Sequence, residues 1–391
     1  MSETYIQGLI IGFITGFISG FVVNLFFLRF TPTWEPFKER LSETFRKFRK
    51  KKTRIKIGTV EITEAMEATL KPVKIGNVLL PLRIFVGGDG KTKYKFPESI
   101  ICIWSREKLT LPEDVLECYS RFLEKRRQEA AKRKAVFENR DHVRLDDYEI
   151  LISGVEDSPT RLKLFVSTVD YYTIQATNYS IDEILPGGST IRQKYASDPA
   201  DLRNSVLGNP LAVNLSVVTA DKQIYISRRS KKTAVTAAGF APAVSGTGNP
   251  LTDRDEEGNY NPFLTAQRET AEEILGYRPA LDEIIFFGLA RTLKYQLPFL
   301  FGEVRLSGVS ARELESSFPR DIWETAGWFA LPLEIDAVVE FIQKIYKEME
   351  EKVIVNSATY AALFSLLVSL HYEYPDRWKD VVERLSVLEK K

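Results

Sequence analysis

The chain has little of what forms cross-links or soft-metal centres. Its 391 residues hold two cysteines, Cys102 and Cys118, and two histidines, His142 and His371. Two thiols exclude a disulfide framework and fit a reducing compartment, and two imidazoles exclude a His-rich metal site. Net charge is almost absent as well: 54 Lys plus Arg against 53 Asp plus Glu leave +1. No global field therefore points to nucleic acid or to acidic substrates. With 44% hydrophobic and 27% charged residues the composition is globular, which excludes a wholly disordered or collagen-like chain. The length gives room for two domains at roughly 100–200 residues each.

What the N-terminus does have is a long apolar run. Residues 5–28 carry no charge, and at about 1.5 Å per residue a helix over them reaches roughly 36 Å, enough to cross a hydrocarbon core of about 30 Å. A cleaved signal peptide is the alternative reading. Against it stand the lack of a basic residue ahead of the run, the length of the run, and the lack of a small-x-small site after it. The expectation is a transmembrane anchor over 1–30 and a basic juxtamembrane neck over 31–56. By the positive-inside rule the N-terminus is then outside and the C-terminal bulk cytoplasmic. Trp34 and Phe37 read as interfacial anchors. The basic residues from Arg46 to Lys56 read as a membrane-lipid contact, as a topology signal, or as both. Gly8, Gly12, Gly16 and Gly20 fall in one stripe of the helix, a face suited to a homo-oligomer.

Beyond the neck the chain divides in two. Residues 57–140 read as a small mixed α/β domain of unknown role, with short strands up to Trp104 and a helix from about Pro112. The charged stretch at 124–140 interleaves acids with bases, which marks a solvated helix face, so nucleic acid is not an expected partner. Residues 141–391 carry the functional signal. A β-branched strand over 211–218 turns through Thr219–Lys222 into a second strand ending near Arg228 and Arg229, and a glycine-rich polar loop over 239–260 follows.

Asn261 and Pro262 then open a helix as N-cap and first helical residue, and Gly276 offers a left-handed stop. At 100° per residue Glu269, Glu272 and Glu273 crowd one arc of that helix, opposite Leu264, Ala271 and Leu275. Such repulsion becomes a site once a divalent cation is present. An all-oxygen set without His or Cys suits Mg2+ or Mn2+ better than Zn2+. A solvated glutamate-rich face is the bland alternative, and the surrounding hairpin, loop, capped helix and next strand argue against it. Arg228 and Arg229 are either phosphate ligands, able to bind oxygens bidentately, or a solvated strand end. Glu303 is a further candidate carboxylate. The apolar run near the C-terminus, over 358–370, is too short to span a membrane and reads as a buried core helix.

Arg268-Glu269-Thr270-Ala271-Glu272-Glu273 resembles the core of the Nudix box, written GX5EX7REUXEEXGU. The pattern departs at Tyr260, where the family has Glu, at an upstream glycine displaced to Gly246 or Gly248, and at Ile274 and Leu275 ahead of Gly276. The resemblance implies a Nudix-like α/β/α sandwich over 141–391. The expected fold class is thus α+β: an N-terminal transmembrane helix, a small mixed α/β domain, then that sandwich with a mixed sheet. It also implies hydrolysis of a pyrophosphate bond in a nucleoside diphosphate derivative, with a nucleotide-type small molecule as substrate, at the cytoplasmic membrane face. Glu269, Glu272 and Glu273 would hold metal, Glu269 would alternatively act as general base, and Arg268 would orient the carboxylates. The altered positions raise the alternative of a non-catalytic nucleotide sensor or scaffold tethered to the membrane.

Overall fold

Alternation builds the centre of the molecule: Val213, Leu215 and Val217 line one face of a strand, and Asn214, Ser216 and Val218 the other. The computed structural model describes residues 56–57, 60–61, 70–105, 108–132, 138–152, 160–229, 239–274, 277–317, 325–352 and 357–387. In chain order these form β1 (Lys56–Ile57), β2 (Val60–Glu61), β3 (Val73–Ile75), β4 (Val78–Leu80), β5 (Leu82–Gly87), β6 (Ile100–Trp104) and helix α1 (Glu113–Lys132). Next come β7 (Asp141–Leu151), β8 (Arg161–Asp170), α2 (Tyr171–Thr177), α3 (Ile191–Tyr195), β9 (Ala212–Thr219), β10 (Gln223–Arg229), β11 (Gly239–Pro242) and β12 (Val244–Thr247). The chain continues through α4 (Pro262–Glu273), β13 (Ile284–Thr292), β14 (Pro298–Leu306), α5 (Ala311–Ser317), β15 (Thr325–Pro332), α6 (Ile335–Lys352), α7 (Ser357–Glu373) and α8 (Trp378–Ser386).

The main sheet has eight strands, ordered β11-β10-β9-β14-β13-β5, with β12 beside β9 and β15 beside β10. Its one parallel pair is β9 with β14; the remaining pairs are antiparallel, so the sheet is mixed. One face buries Val213, Leu215, Val217, Phe286 and Leu300 against α4 and against a second sheet, ordered β6-β8-β7. The other buries Ile224, Ile226, Phe299 and Phe301 against α6, α7 and α8. Helix layers thus cover both faces, and α1 packs in a third cluster with residues of α3 and of the loop before β9.

Strand β5 comes from the stretch 57–140, yet it pairs with β13 of the main sheet, and residues from 55 onward pack as one compact unit. Two glycines make that pairing possible. Gly87 and Gly288 face each other with φ of 75° and 156°, and a Cβ on either would overlap the carbonyl of Phe287 or Val86.

The structure corrects the expected fold class. The described residues are α+β with mixed sheets, and among them no helix is long and apolar enough to cross a membrane. The most apolar described helix, α7, has 17 residues, about 26 Å at 1.5 Å each, and it is spent on the sheet core. The run over 5–28 that carried the transmembrane reading, with its glycine stripe and the basic neck, lies outside the described residues.

Candidate functional site

Helix α4 is positioned at both ends by its own sequence. The Asn261 side chain accepts a hydrogen bond from the Phe263 N–H at 3.0 Å, and Pro262 occupies the first turn, where its missing N–H costs nothing. Pro262, Phe263, Thr265, Ala266 and Thr270 form the buried stripe that seats the helix. The helix ends with Ile274 as C-cap; Leu275 and Gly276 lie outside the described residues.

Glu269 rests on the backbone of β12. A Cβ at Gly246 would overlap the Glu269 carboxylate, so this strand position has to be glycine for the carboxylate to lie where it does. Its side chain is 12% exposed. Burial foremost, then the nearby charges of Glu272 and Asp253, push its pKa up to about 7 against the opposing pull of Arg268.

Arg268 organises everything around it. Its Nε and Nη2 donate to the two oxygens of Asp253 at 2.9 Å each, its Nη1 to Glu269 Oε1 at 2.8 Å and Glu272 Oε1 at 3.3 Å, and Nη2 also to the Thr247 carbonyl at 3.0 Å. Asp253, 1% exposed, further accepts from the Asn249 N–H at 2.9 Å and the Thr265 hydroxyl at 2.8 Å. Burial acts to raise the Asp253 pKa, and Arg268 with these donors overcomes it, so the carboxyl sits below its ordinary value. The bidentate pair is the strong form of an ion pair.

Tyr260, at the position where the Nudix pattern has Glu, is a buried packing residue. Its hydroxyl is hydrogen-bonded to the Thr265 hydroxyl at 3.0 Å, donating to it while Thr265 donates to Asp253, and fills the space beside Gly248. The buried carboxylate facing Arg268 comes instead from Asp253, seven residues earlier in the enlarged loop. His142, on β7, completes the rim through a 2.7 Å hydrogen bond between its Nδ1 and the Thr247 hydroxyl; burial lowers its pKa. The glycine-rich stretch reads as irregular in sequence, yet it contains β11 and β12.

The structure brings Arg268, Glu269 and Glu272 together. Glu273 ends the same helix, half-buried. Arg228 is not brought to them. It follows Ile224 and Ile226 in the alternation that faces α6 and α7, away from α4, and it is exposed. The side chain of Arg229 lies outside the described residues. Glu303 is also on the α7 side of the sheet. Asp253 and His142 had no local signal of a role; Gly246 was hinted at by the displaced glycine of the box.

No family model matches the chain, and no curated protein does. What the site can do follows from its own chemistry. Among the described residues no group of three or more His, Cys, Asp or Glu is gathered to hold a metal ion, because the Arg268 guanidinium stands between Glu269 and Glu272. The donor set fits a hard cation all the same: oxygens throughout, one carboxylate anchored on a backbone and carrying a raised pKa, and a second, Glu272, with a side chain 60% exposed.

Proposed function

We propose that this protein hydrolyses a pyrophosphate bond in a nucleoside diphosphate derivative, with Mg2+ or Mn2+ as cofactor. One observation carries the reading. A single guanidinium holds Asp253, Glu269 and Glu272 while Glu269 is seated on Gly246, an arrangement costly to build on a surface helix without a use for it.

A divalent ion held by Glu269, Glu272 and Glu273 would supply charge neutralisation on the phosphates and a more acidic bound water. The rest is work for the chain itself. Asp253 fixes the guanidinium plane of Arg268, and Arg268 fixes the Glu269 carboxylate. Where Glu272 and Glu273 hold the ion without it, Glu269, its pKa raised by burial to about 7, can instead take a proton from water close to neutral pH, where general bases act best. No nucleophilic Ser or Cys is needed for such a reaction.

The test is release of monophosphate by the full chain from a panel of dinucleotides, nucleotide sugars and nucleoside triphosphates, with and without Mg2+ or Mn2+. The expected result is metal-dependent cleavage of at least one class, reduced about 100-fold or more in Glu269→Gln with the melting temperature kept. Cleavage of nothing, with metal-dependent stabilisation by one nucleotide, would make the domain a non-catalytic nucleotide sensor. The packing role of Tyr260 is what favours that second reading.

A further inference from the structure

Arg268 has no N–H left for a substrate. The hydrogens of its Nε, Nη1 and Nη2 go to Asp253, Glu269, Glu272 and the Thr247 carbonyl, and Arg228 stands on the other side of the sheet. A pyrophosphate at α4 therefore needs a donor from elsewhere, and β7 brings one. The Val143 N–H donates to the Gly248 carbonyl at 2.9 Å, and the Leu211 N–H to the Val143 carbonyl at 2.8 Å, which ties this strand to the end of β12. His142 is thereby seated against Thr247, its Nδ1 2.7 Å from the Thr247 hydroxyl, while the carbonyl of the same Thr247 accepts from Arg268 at 3.0 Å. One residue thus separates the imidazole from the guanidinium that holds Glu269 and Glu272.

We propose that His142 is a substrate-binding residue of this site, its Nε2–H donating to a phosphate oxygen of a pyrophosphate held at α4. The proposal rests on the reading above for the ligand, and not for its cleavage. Two features prepare the ring for that task. Burial foremost, with the charges of Arg140 and Arg268 against the pull of Asp141, holds its pKa below the ordinary 6.5, so near neutral pH it is uncharged and carries one proton. The Thr247 hydroxyl has no other acceptor among the described residues, so it donates to Nδ1 and leaves the ring proton on Nε2. Nε2 itself has no partner among those residues. The Tyr171 ring packs beside the imidazole, with centroids 6.0 Å apart and planes tilted by 54°. A neutral donor suits the place, because its hydrogen bond to a charged phosphate is a strong one, whereas a second cation beside Arg268 would repel it.

The test is calorimetric titration of the full chain with MnCl2 and then, in saturating Mn2+, with imidodiphosphate, a pyrophosphate analogue whose P–N–P bridge resists hydrolysis. His142→Ala is expected to weaken imidodiphosphate binding about 10-fold or more, with Mn2+ affinity unchanged. His142→Gln, which returns an N–H near the place of Nε2, is expected to recover most of the loss, a rescue that a packing role would not give. Thr247→Val frees the ring proton to sit on either nitrogen and is expected to weaken binding severalfold, which keeps the test usable if His142→Ala does not fold. Where a nucleotide is cleaved, His142→Ala is expected to raise KM and leave kcat close to that of the parent. Imidodiphosphate binding that is absent from the parent chain, unchanged in His142→Ala, or lost there and not restored in His142→Gln overturns the proposal. Absence of turnover with these binding differences intact overturns the hydrolase reading and leaves the role of His142 standing.

Discussion

Arg268 and Gly246 do more for the candidate site than the glutamates that draw the eye in the sequence. Removing Arg268 leaves Asp253 buried without its counter-charge, so Arg268→Ala is expected to cost about 3–5 kcal/mol, checked by denaturant unfolding. Gly246→Ala forces the Glu269 carboxylate off the strand. Its expected signature is loss of metal-dependent turnover with a smaller loss of stability, about 1–3 kcal/mol. Charge linkage gives a pH dependence of known sign. Glu269 titrates near 7 folded against an ordinary 4.5, so its contribution to stability is full below about 4.5 and is lost as pH rises through about 7. Asp253 acts the other way: its contribution is present above its ordinary 3.8 and is lost as pH falls through its lower folded value. If Glu269 binds metal, Mn2+ should raise the melting temperature clearly at about pH 8 and hardly at about pH 5, where the carboxyl holds a proton. Equal shifts at both pH values would separate Glu269 from the metal.

Among the elements, α4 was the most legible, because Asn261, Pro262 and the spacing of its apolar residues are all local signals. Asn261→Ala is expected to cost about 1 kcal/mol by loss of the cap, read as a lower melting temperature. The β9–β10 hairpin and the apolar α7 were visible for the same reason: a period of two, a turn, or a run of core residues can be read from neighbours in the chain. β11 and β12 were not. Their Gly, Ala, Pro and Ser content imitates a loop, and they are strands because β10 and β9 pair with them, with the Glu269 carboxylate leaving no room for a side chain at Gly246. The choice for Arg228 between phosphate ligand and solvated strand end stayed open for a related reason, since the sequence shows that it ends a strand but not which face of the sheet α4 covers. The contact of β5 with β13 depends on Gly87 and Gly288, so Gly288→Ala is expected to destabilise the protein by about 1–3 kcal/mol and to expose the β5 amides in hydrogen exchange.

At the scale of the whole molecule, residues from 55 onward pack as one compact unit. Tyr94 is fully buried and bridged to Phe286, Ile100 and Cys102 share a core with β9 and α4, and the α7 residue Tyr372 donates to Asp89 at 3.2 Å. A chain beginning at residue 141 would uncover that core and leave β13 as a bare edge. Calorimetry of the full protein should therefore show a single transition for these parts, and the shortened chain should aggregate or melt far lower.

Composition and spacing were enough to place a capped helix carrying three glutamates, the hairpin before it and a buried helix near the end, because each rests on interactions between residues close in the chain. The partner of Arg268, the packing role of Tyr260, the strand hidden at Gly246 and the union of β5 with β13 each join residues far apart. No local pattern encodes which of two faces a strand presents, or which of several acids in a loop will meet a given arginine. Those choices are made when the sheet closes on its helices and every buried charge must find a partner.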